Sequence, residues 1–493
     1  MWAFSASGCR WLGAGGSLAV AVGGYAAGTL PVLGGGPLWQ PRGSAAEVAG
    51  AVLATLGLTL LVAAWWRYGV LLARGLRDGV LATLACWTAP LLLAPPLHSA
   101  DVYSYIAQGA MVLEGHDVYG AGPAVLGPGD LGADAAASVG GNWTHTPAPY
   151  GPAFLLLAAG IVKLTGGAVV PSVLGLRLVA LGALALIVWA VRGLGGGGGG
   201  RDGALWLAAL NPLLLVHVVG GMHNDGLMIG LMLGGVLLAT RGRWVLGSVL
   251  VGFAMMVKSP AAVALLFIGV LLARGGGVRG LLKGLVLPGA VAGAVAAGAS
   301  VLAGTGFGWL RTQSVAAAIH TPLSLTSDLG LGLGLLLGGE AEPVKGVVQK
   351  LGLLLAVGVI VALALRAHRG RLDPVLGLGL SLVALVALSP MVQPWYLLWG
   401  TVVVAGVAWR SRAGQVLAVL SAALVYETQP SGHTPWYGFV SAGLVLVVGL
   451  VWVRREPWGP GAGGAGEGTV PPQRTRGTRS APARDSAGLR PSD

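Results

Sequence analysis

The chain has 493 residues, 55% of them hydrophobic and only 10% charged, and a mean hydropathy of +0.78. Soluble domains carry about 25% charged residues, so most of this surface cannot face water and the chain reads as a polytopic membrane protein. The net charge of +12 lies largely in arginines between apolar runs, a topogenic pattern that gives no reason to invoke nucleic acid, and two cysteines, Cys9 and Cys86, exclude a disulfide framework or a cysteine-based metal site.

The N-terminus places one arginine, Arg10, before an apolar stretch like its neighbours, which predicts an uncleaved first span rather than a signal peptide. The run VAGAVLATLGLTLLVAAWW, and later LVLPGAVAGAVAAGASVLAG, is long enough to cross a ~30 Å hydrocarbon core. A third span is expected over residues 79–97. The 86 glycines show no collagen period; glycine and alanine let helices approach closely in lipid.

Residues 98–152 break the apolar pattern and hold most of the polar chemistry. Asp101 follows His98-Ser99-Ala100 at the expected end of the third span. A carboxylate there can be partly desolvated, which raises its pKa and its strength as a base. Alternatively, Ser99 or Asp101 caps a helix running through Tyr103, Tyr105 and Gln108. Glu114, Asp117 and Tyr119 lie in a turn-rich stretch, where carboxylates beside aromatic rings can hold sugar hydroxyls or simply be solvated. In GNWTHTPAPYGP, prolines stiffen a wall carrying Trp143, His145 and Tyr150.

The loops carrying Arg67/Arg74/Arg77, Arg192/Arg201, Arg241/Arg243, Arg274/Arg279/Lys283, Arg366/Arg369/Arg371, Arg410/Arg412 and Arg454/Arg455 all fall on one side if residues 152–170 form a re-entrant or half-inserted helix. Basic loops favour the cytoplasm, so roughly 14 full spans of about 20 residues are expected, with both termini inside and residues 98–152 outside. The glycine run 195–200 lacks the Lys-Ser/Thr and the preceding strand of a phosphate cradle and reads as a hairpin.

Further along, NPLLLVHVVGGMHNDGLMIG sets His217, His223, Asn224 and Asp225 at an outer junction. The His217–His223 step and its two glycines suit a metal pair poorly; hydrogen bonding by Asn224 and Asp225 to a polar ligand or a helix end suits them better. Lys258 sits between apolar helices, where an ammonium costs about 2.5–3.5 kcal/mol at mid-helix and so calls for a partner. A phosphate beside Ser259, at the helix that Pro260 opens, is one such partner; snorkelling to the interface is the alternative. Gln393, Trp395, Tyr396 and Trp399 form a ligand wall or an interfacial aromatic belt. Residues 1–457 form the membrane domain; 458–493 form a Pro/Gly/Arg-rich tail expected to be disordered and cytoplasmic, its arginines near anionic membrane lipids.

The ordered series D-V-Y-S-Y, G-x-x-V-Y-x-x-G-P, W-x-x-T-P-A-P-Y-G-P, N-P with H-N-D, K-x-P and P-W-Y-L-x-W resembles the actinobacterial polyprenol-phosphomannose-dependent α-1,6-mannosyltransferases, of the GT-C class, from about Trp11 to Arg454. The resemblance implies an all-α GT-C-type bundle of about 13–15 transmembrane helices with a large first extracytoplasmic loop. It also implies an aspartate base in that loop (Asp101), a polyprenyl-phosphate mannose donor and a lipid-anchored mannan acceptor. Val118 stands where the family often has proline, and the basic tail is not part of the common pattern. No DxD motif or His/Cys cluster demands a metal, and no cofactor is expected. A transferase for another lipid-linked sugar and a transporter or flippase of lipid-linked sugars are the alternative readings; polar groups gathered at one face rather than the midplane disfavour transport.

Overall fold

The computed structural model describes residues 5–76, 79–196, 199–273, 276–338 and 340–455. The expected tail 458–493, Arg77, Arg274 and part of the glycine run 195–200 lie outside them.

Every regular element among the described residues is helical, as expected where lipid leaves a backbone to satisfy its own hydrogen bonds. Among the described residues, five helices are long and apolar enough to cross a bilayer: Ser44–Ala73, Val169–Leu194, Arg279–Leu302, Ala341–His368 and Trp436–Arg455. Gly200–Ala208 and Pro212–Gly220, which meet at 44°, supply a sixth if they act together. Nine further apolar helices among the described residues have only 10–17 residues. The protein is all-α and multi-pass, but its helices are not the uniform run of ~20-residue spans expected from hydropathy.

Proline and glycine set the shorter lengths. The expected third span ends at Leu92, because Pro95 and Pro96 cannot extend a helix. The segment 152–170 forms a helix Pro152–Thr165 stopped by Gly166 in the left-handed region (φ 63°). Its 14 residues reach only ~21 Å, short of a ~30 Å hydrocarbon core.

Glycine content has a direct packing role at the first helix pair. Ala6–Ala27 and Ser44–Ala73 pack so closely that a Cβ at Gly16 would stand 2.6 Å from Gly57 O, and one at Gly23 2.5 Å from Gly50 O. Larger residues would force these backbones apart. The same long helix is clasped to Gly200–Ala208 by Trp65 and Trp206, stacked at 4.7 Å, each indole N–H donating to the other's carbonyl (2.9 and 2.7 Å).

A second clasp lies at the opposite end. The Leu97 N–H donates to Gly220 O (3.3 Å), joining the segment before Asp101 to the segment before His223. Beneath them Arg177, 2% exposed, donates to Leu92 O (2.9 Å) and Ala94 O (2.6 Å) and reaches Pro95 O and Gly220 O (3.5 and 3.4 Å). One guanidinium thus satisfies carbonyls that the broken helices leave without intrahelical partners.

Candidate active site

Asp101 opens the helix Asp101–Leu113, and its own N–H donates to Ser99 Oγ (3.1 Å). The N-cap position is Ala100, which offers no side-chain bond, so neither Ser99 nor Asp101 is the cap, and the Asp101 carboxylate turns elsewhere. Its Oδ2 lies 3.2 Å from His223 Nδ1, with the aspartate side chain 24% exposed and the imidazole fully buried. Burial alone would raise the Asp101 pKa, as expected from the sequence; the hydrogen bond and charge of His223, with Lys258 beyond, outweigh it and hold the carboxyl below its ordinary value. The expected upward shift is thus reversed, and the carboxyl favours its ionised form.

Two residues along from His223, Asp225 starts the helix Asp225–Thr240 and is wholly buried. It is the partner that Lys258 requires: Nζ lies 2.9 Å from both carboxylate oxygens. Trp399 Nε1 donates to Oδ1 at 2.7 Å. The ammonium also sits 4.4 Å above the Tyr396 ring, which itself stacks on Trp399 at 4.4 Å. Two carboxylate bonds and an aromatic face fix Lys258 in place without burying it completely; its side chain is 14% exposed. Snorkelling to an interface does not describe this residue.

Asp101 and Lys258 face one cavity of about 390 Å³, also lined by Trp143, Tyr150, Ser259, Gln393, Trp395, Tyr396 and Trp399. That volume is within the usual range for a small-ligand pocket. Its other flank is apolar, with Val263, Leu353 and Leu385 from three different helices. The 98–152 segment is held against this cavity by close packing: a Cβ on Gly151 would lie 2.6 Å from the Met256 backbone, and the Phe154 N–H donates to Met256 O (3.1 Å).

The remaining candidates divide into wall, support and distant groups. His223 lies behind the wall, stacked on Trp395 at 3.7 Å and 24°. Tyr105 is buried edge-on to Tyr150, and its hydroxyl accepts from Asn224 N–H (3.4 Å). The Asn224 side chain is buried and hydrogen-bonds to no protein atom. Tyr103 is a packing residue whose hydroxyl donates to Thr29 O (2.6 Å). Glu114 accepts from Leu131 N–H (3.1 Å) and Asp117 from Tyr119 N–H (3.0 Å), so both carboxylates shape turns in the loop. The Tyr119 hydroxyl donates to Tyr150 O (3.0 Å), bracing the wall from behind. His145 is exposed and does not line the cavity.

Three participants escaped the sequence reading. Thr312 and Gln313, from the short helix Gly308–Ser314, line the cavity, and Ser259 Oγ donates to Gln313 Oε1. No motif marks these two. Arg177 did carry a signal: it is a lone charge inside an apolar helix, a costly placement that demands partners.

Residues 10–274 match the model of the family described as Alpha-(1->6)-mannopyranosyltransferase, N-terminal domain, and residues 321–455 match the MptB C-terminal domain. The chain is 36% identical to a "Probable alpha-(1->6)-mannopyranosyltransferase" of Mycolicibacterium smegmatis, covering 92% of this chain and 89% of that protein. It is 34% identical to an alpha-(1->6)-mannopyranosyltransferase of Mycobacterium tuberculosis (92% and 88% covered). Against alpha-(1->6)-mannopyranosyltransferase B of Corynebacterium glutamicum the identity is 31% (91% and 82% covered). No solved structure matches the chain significantly. On helical architecture, sequence coverage and family match together, the chain belongs to the alpha-(1->6)-mannopyranosyltransferase family.

Proposed function

We propose that this membrane mannosyltransferase moves mannose from a polyprenyl-phosphate donor to a hydroxyl of a lipid-anchored mannan, forming an α-1,6 linkage with inversion, on the extracytoplasmic face. The observation that carries this reading is the shared cavity of Asp101 and Lys258, one ionised base and one fixed cation on the same walls. In the reaction, the acceptor oxygen attacks the anomeric carbon as the bond from that carbon to the phosphate oxygen breaks. Asp101 takes the hydroxyl proton, and the bonding pair leaves with the lipid phosphate. Inversion needs one base and no covalent intermediate, which turns a β-linked donor into an α-linked product.

Lys258 stabilises negative charge as it develops on the departing phosphate. Its pairing with Asp225 places the ammonium in advance, so little reorganisation accompanies the reaction. Ser259 and Gln313 add neutral hydrogen-bonding groups beside it. The apolar flank of Val263, Leu353 and Leu385 suits the first isoprene units, while Trp143, Tyr150 and Trp395 offer faces to sugar rings. The outward location rests on the positive-inside rule applied to the basic loops.

Membranes containing the protein, given radiolabelled polyprenyl-phosphate mannose and an α-1,6-oligomannoside, should extend the acceptor by α-1,6-linked mannose. Transfer from a nucleotide-mannose but not from the lipid donor, in membranes unable to interconvert the two, would overturn the donor assignment.

A further inference from the structure

We infer that His223 is a positioning residue for Asp101, its Nδ1–H holding the carboxylate in the orientation that receives the acceptor's proton. The inference rests on the general-base reading of Asp101 and gives His223 a role other than substrate binding. At 1% exposure, with the Trp395 ring stacked on it, the imidazole has no surface to offer a sugar. What it does offer is one nitrogen, 3.2 Å from Asp101 Oδ2. A carboxylate only accepts, so the contact calls for a proton on Nδ1; the two atoms lie within ion-pair distance, although their alignment is not that of a good hydrogen bond.

The backbone around the pair is built to keep that contact. Two non-glycine residues among those described have left-handed backbones, Met222 (φ 53°) and His98 (φ 64°). One immediately precedes His223; the other lies three residues before Asp101. Strain of this kind persists only where surrounding structure imposes it, and the Leu97–Gly220 hydrogen bond and the Arg177 clasp tie these two segments together. The His223 N–H donates to His217 O (3.2 Å), and the His217 ring packs 5.6 Å from that of His223 and 5.3 Å from that of His98. The His98 Nδ1 contacts Thr428 O at 3.0 Å, and burial holds its pKa down to about 4, so it packs as a neutral ring. His223 is therefore wedged between Trp395 and His217 with its reactive edge toward Asp101.

Other ionisable groups facing Asp101 are Lys258, Asp225, Tyr105, Tyr150 and Tyr396. Of these, Lys258 shares with His223 the task of opposing the burial that would otherwise protonate the carboxyl. Loss of His223 leaves that burial less opposed, so the acid limb of kcat should move to higher pH.

The test is steady-state kinetics of the full-length enzyme in lipid nanodiscs. A misplacement of ~1 Å can cost ~100-fold, so His223→Leu should lower kcat on the order of 10- to 100-fold with donor KM unchanged and the acid limb displaced upward. His223→Asn places an amide N–H near the Nδ1 position and should restore most of the rate. In an Asp101→Asn background, His223→Leu should cost no more than about twofold, because the group it serves is already lost. Parent-like kcat in His223→Leu overturns the inference. So does an asparagine variant that folds but is no faster than leucine, or an equal loss in the Asp101→Asn background. If His223→Leu does not fold, the asparagine variant decides alone: a rate within tenfold of the parent supports positioning by an N–H donor, and a larger loss in a folded enzyme contradicts it. Parent-rate transfer by Asp101→Asn would instead remove the general-base reading beneath it.

Discussion

At the end of the bundle away from Asp101, Trp65 and Trp206 stack and exchange hydrogen bonds, Trp409 packs edge-on against Trp206, and Arg410 lies over Trp409. Around Asp101, by contrast, an ion pair, a His–Asp contact and two left-handed backbones surround an open cavity. Both regions bury large aromatic rings, yet only one leaves a carboxylate and an ammonium partly accessible. Tryptophan at the first end closes its own hydrogen bonds and serves stability. Trp395 and Trp399 at the other end are walls: one backs His223, the other donates to Asp225. Residue type alone does not separate these roles; the partner of the indole N–H and the ring's neighbours do.

Substitutions at the two ends should therefore fail in different ways. After Asp101 itself, the largest expected effect among them is at Lys258. Removing one preorganised donor to developing charge typically costs ~10²–10³ in kcat, and Lys258→Met should approach that loss. Because Asp225 would be left a buried carboxylate, Lys258→Met/Asp225→Asn should be measured beside it; equal loss in both, with normal membrane insertion, assigns the defect to the missing cation. Unchanged donor use in either would reduce the ion pair to a structural brace.

Arg177 should give an intermediate effect, because it supports the site without touching the cavity. Arg177→Met strands buried carbonyls, each worth ~1–3 kcal/mol, at Leu92, Ala94 and Gly220. Thermal unfolding should shift downward, and kcat should fall by roughly tenfold through a displacement under ~1 Å of the Asp101 and His223 segments. A stability loss with unaltered kcat would show that the clasp does not govern site geometry.

The smallest effect belongs to the tryptophan clasp. Trp206→Phe keeps an aromatic ring and the backbone carbonyl that accepts from Trp65 but loses one hydrogen bond, from the Trp206 indole N–H to Trp65 O, a loss of about 0.5–1.5 kcal/mol in stability. Turnover per folded molecule should stay at the parent value. A specific drop in kcat would mean that the two ends are coupled and that the contrast between them is too simple.

Much of the site was legible because chemistry in lipid is expensive. Asp101, Asp225 and Lys258 stand out against apolar surroundings, whereas Trp395 and Tyr396 could by sequence be a ligand wall or an interfacial aromatic belt, and the structure places them on the cavity. The pairing of Lys258 with Asp225 was not legible, since 33 residues separate them and only the packing of two broken helices brings them together. The Asp101 pKa was misjudged for the same reason: burial is readable from sequence, but the compensating His223 is a tertiary neighbour. Glu114 and Asp117 could hold sugar hydroxyls or simply be solvated by composition, and the structure has them accept from the Leu131 and Tyr119 N–H groups in turns that do not line the Asp101 cavity. Helix lengths were overestimated because hydropathy runs continue smoothly through prolines and glycines at which the backbone must stop.

The most direct measurement is the rate of mannosyl transfer by Asp101→Asn at saturating donor, with donor affinity determined in parallel. Asparagine keeps the size of the side chain but cannot take the acceptor's proton. General-base catalysis is worth ~10²–10⁴-fold, so turnover should fall by that factor while expression and donor binding stay near normal. Transfer at the parent rate would contradict the assignment of Asp101 as the base and leave its contact with His223 a structural one.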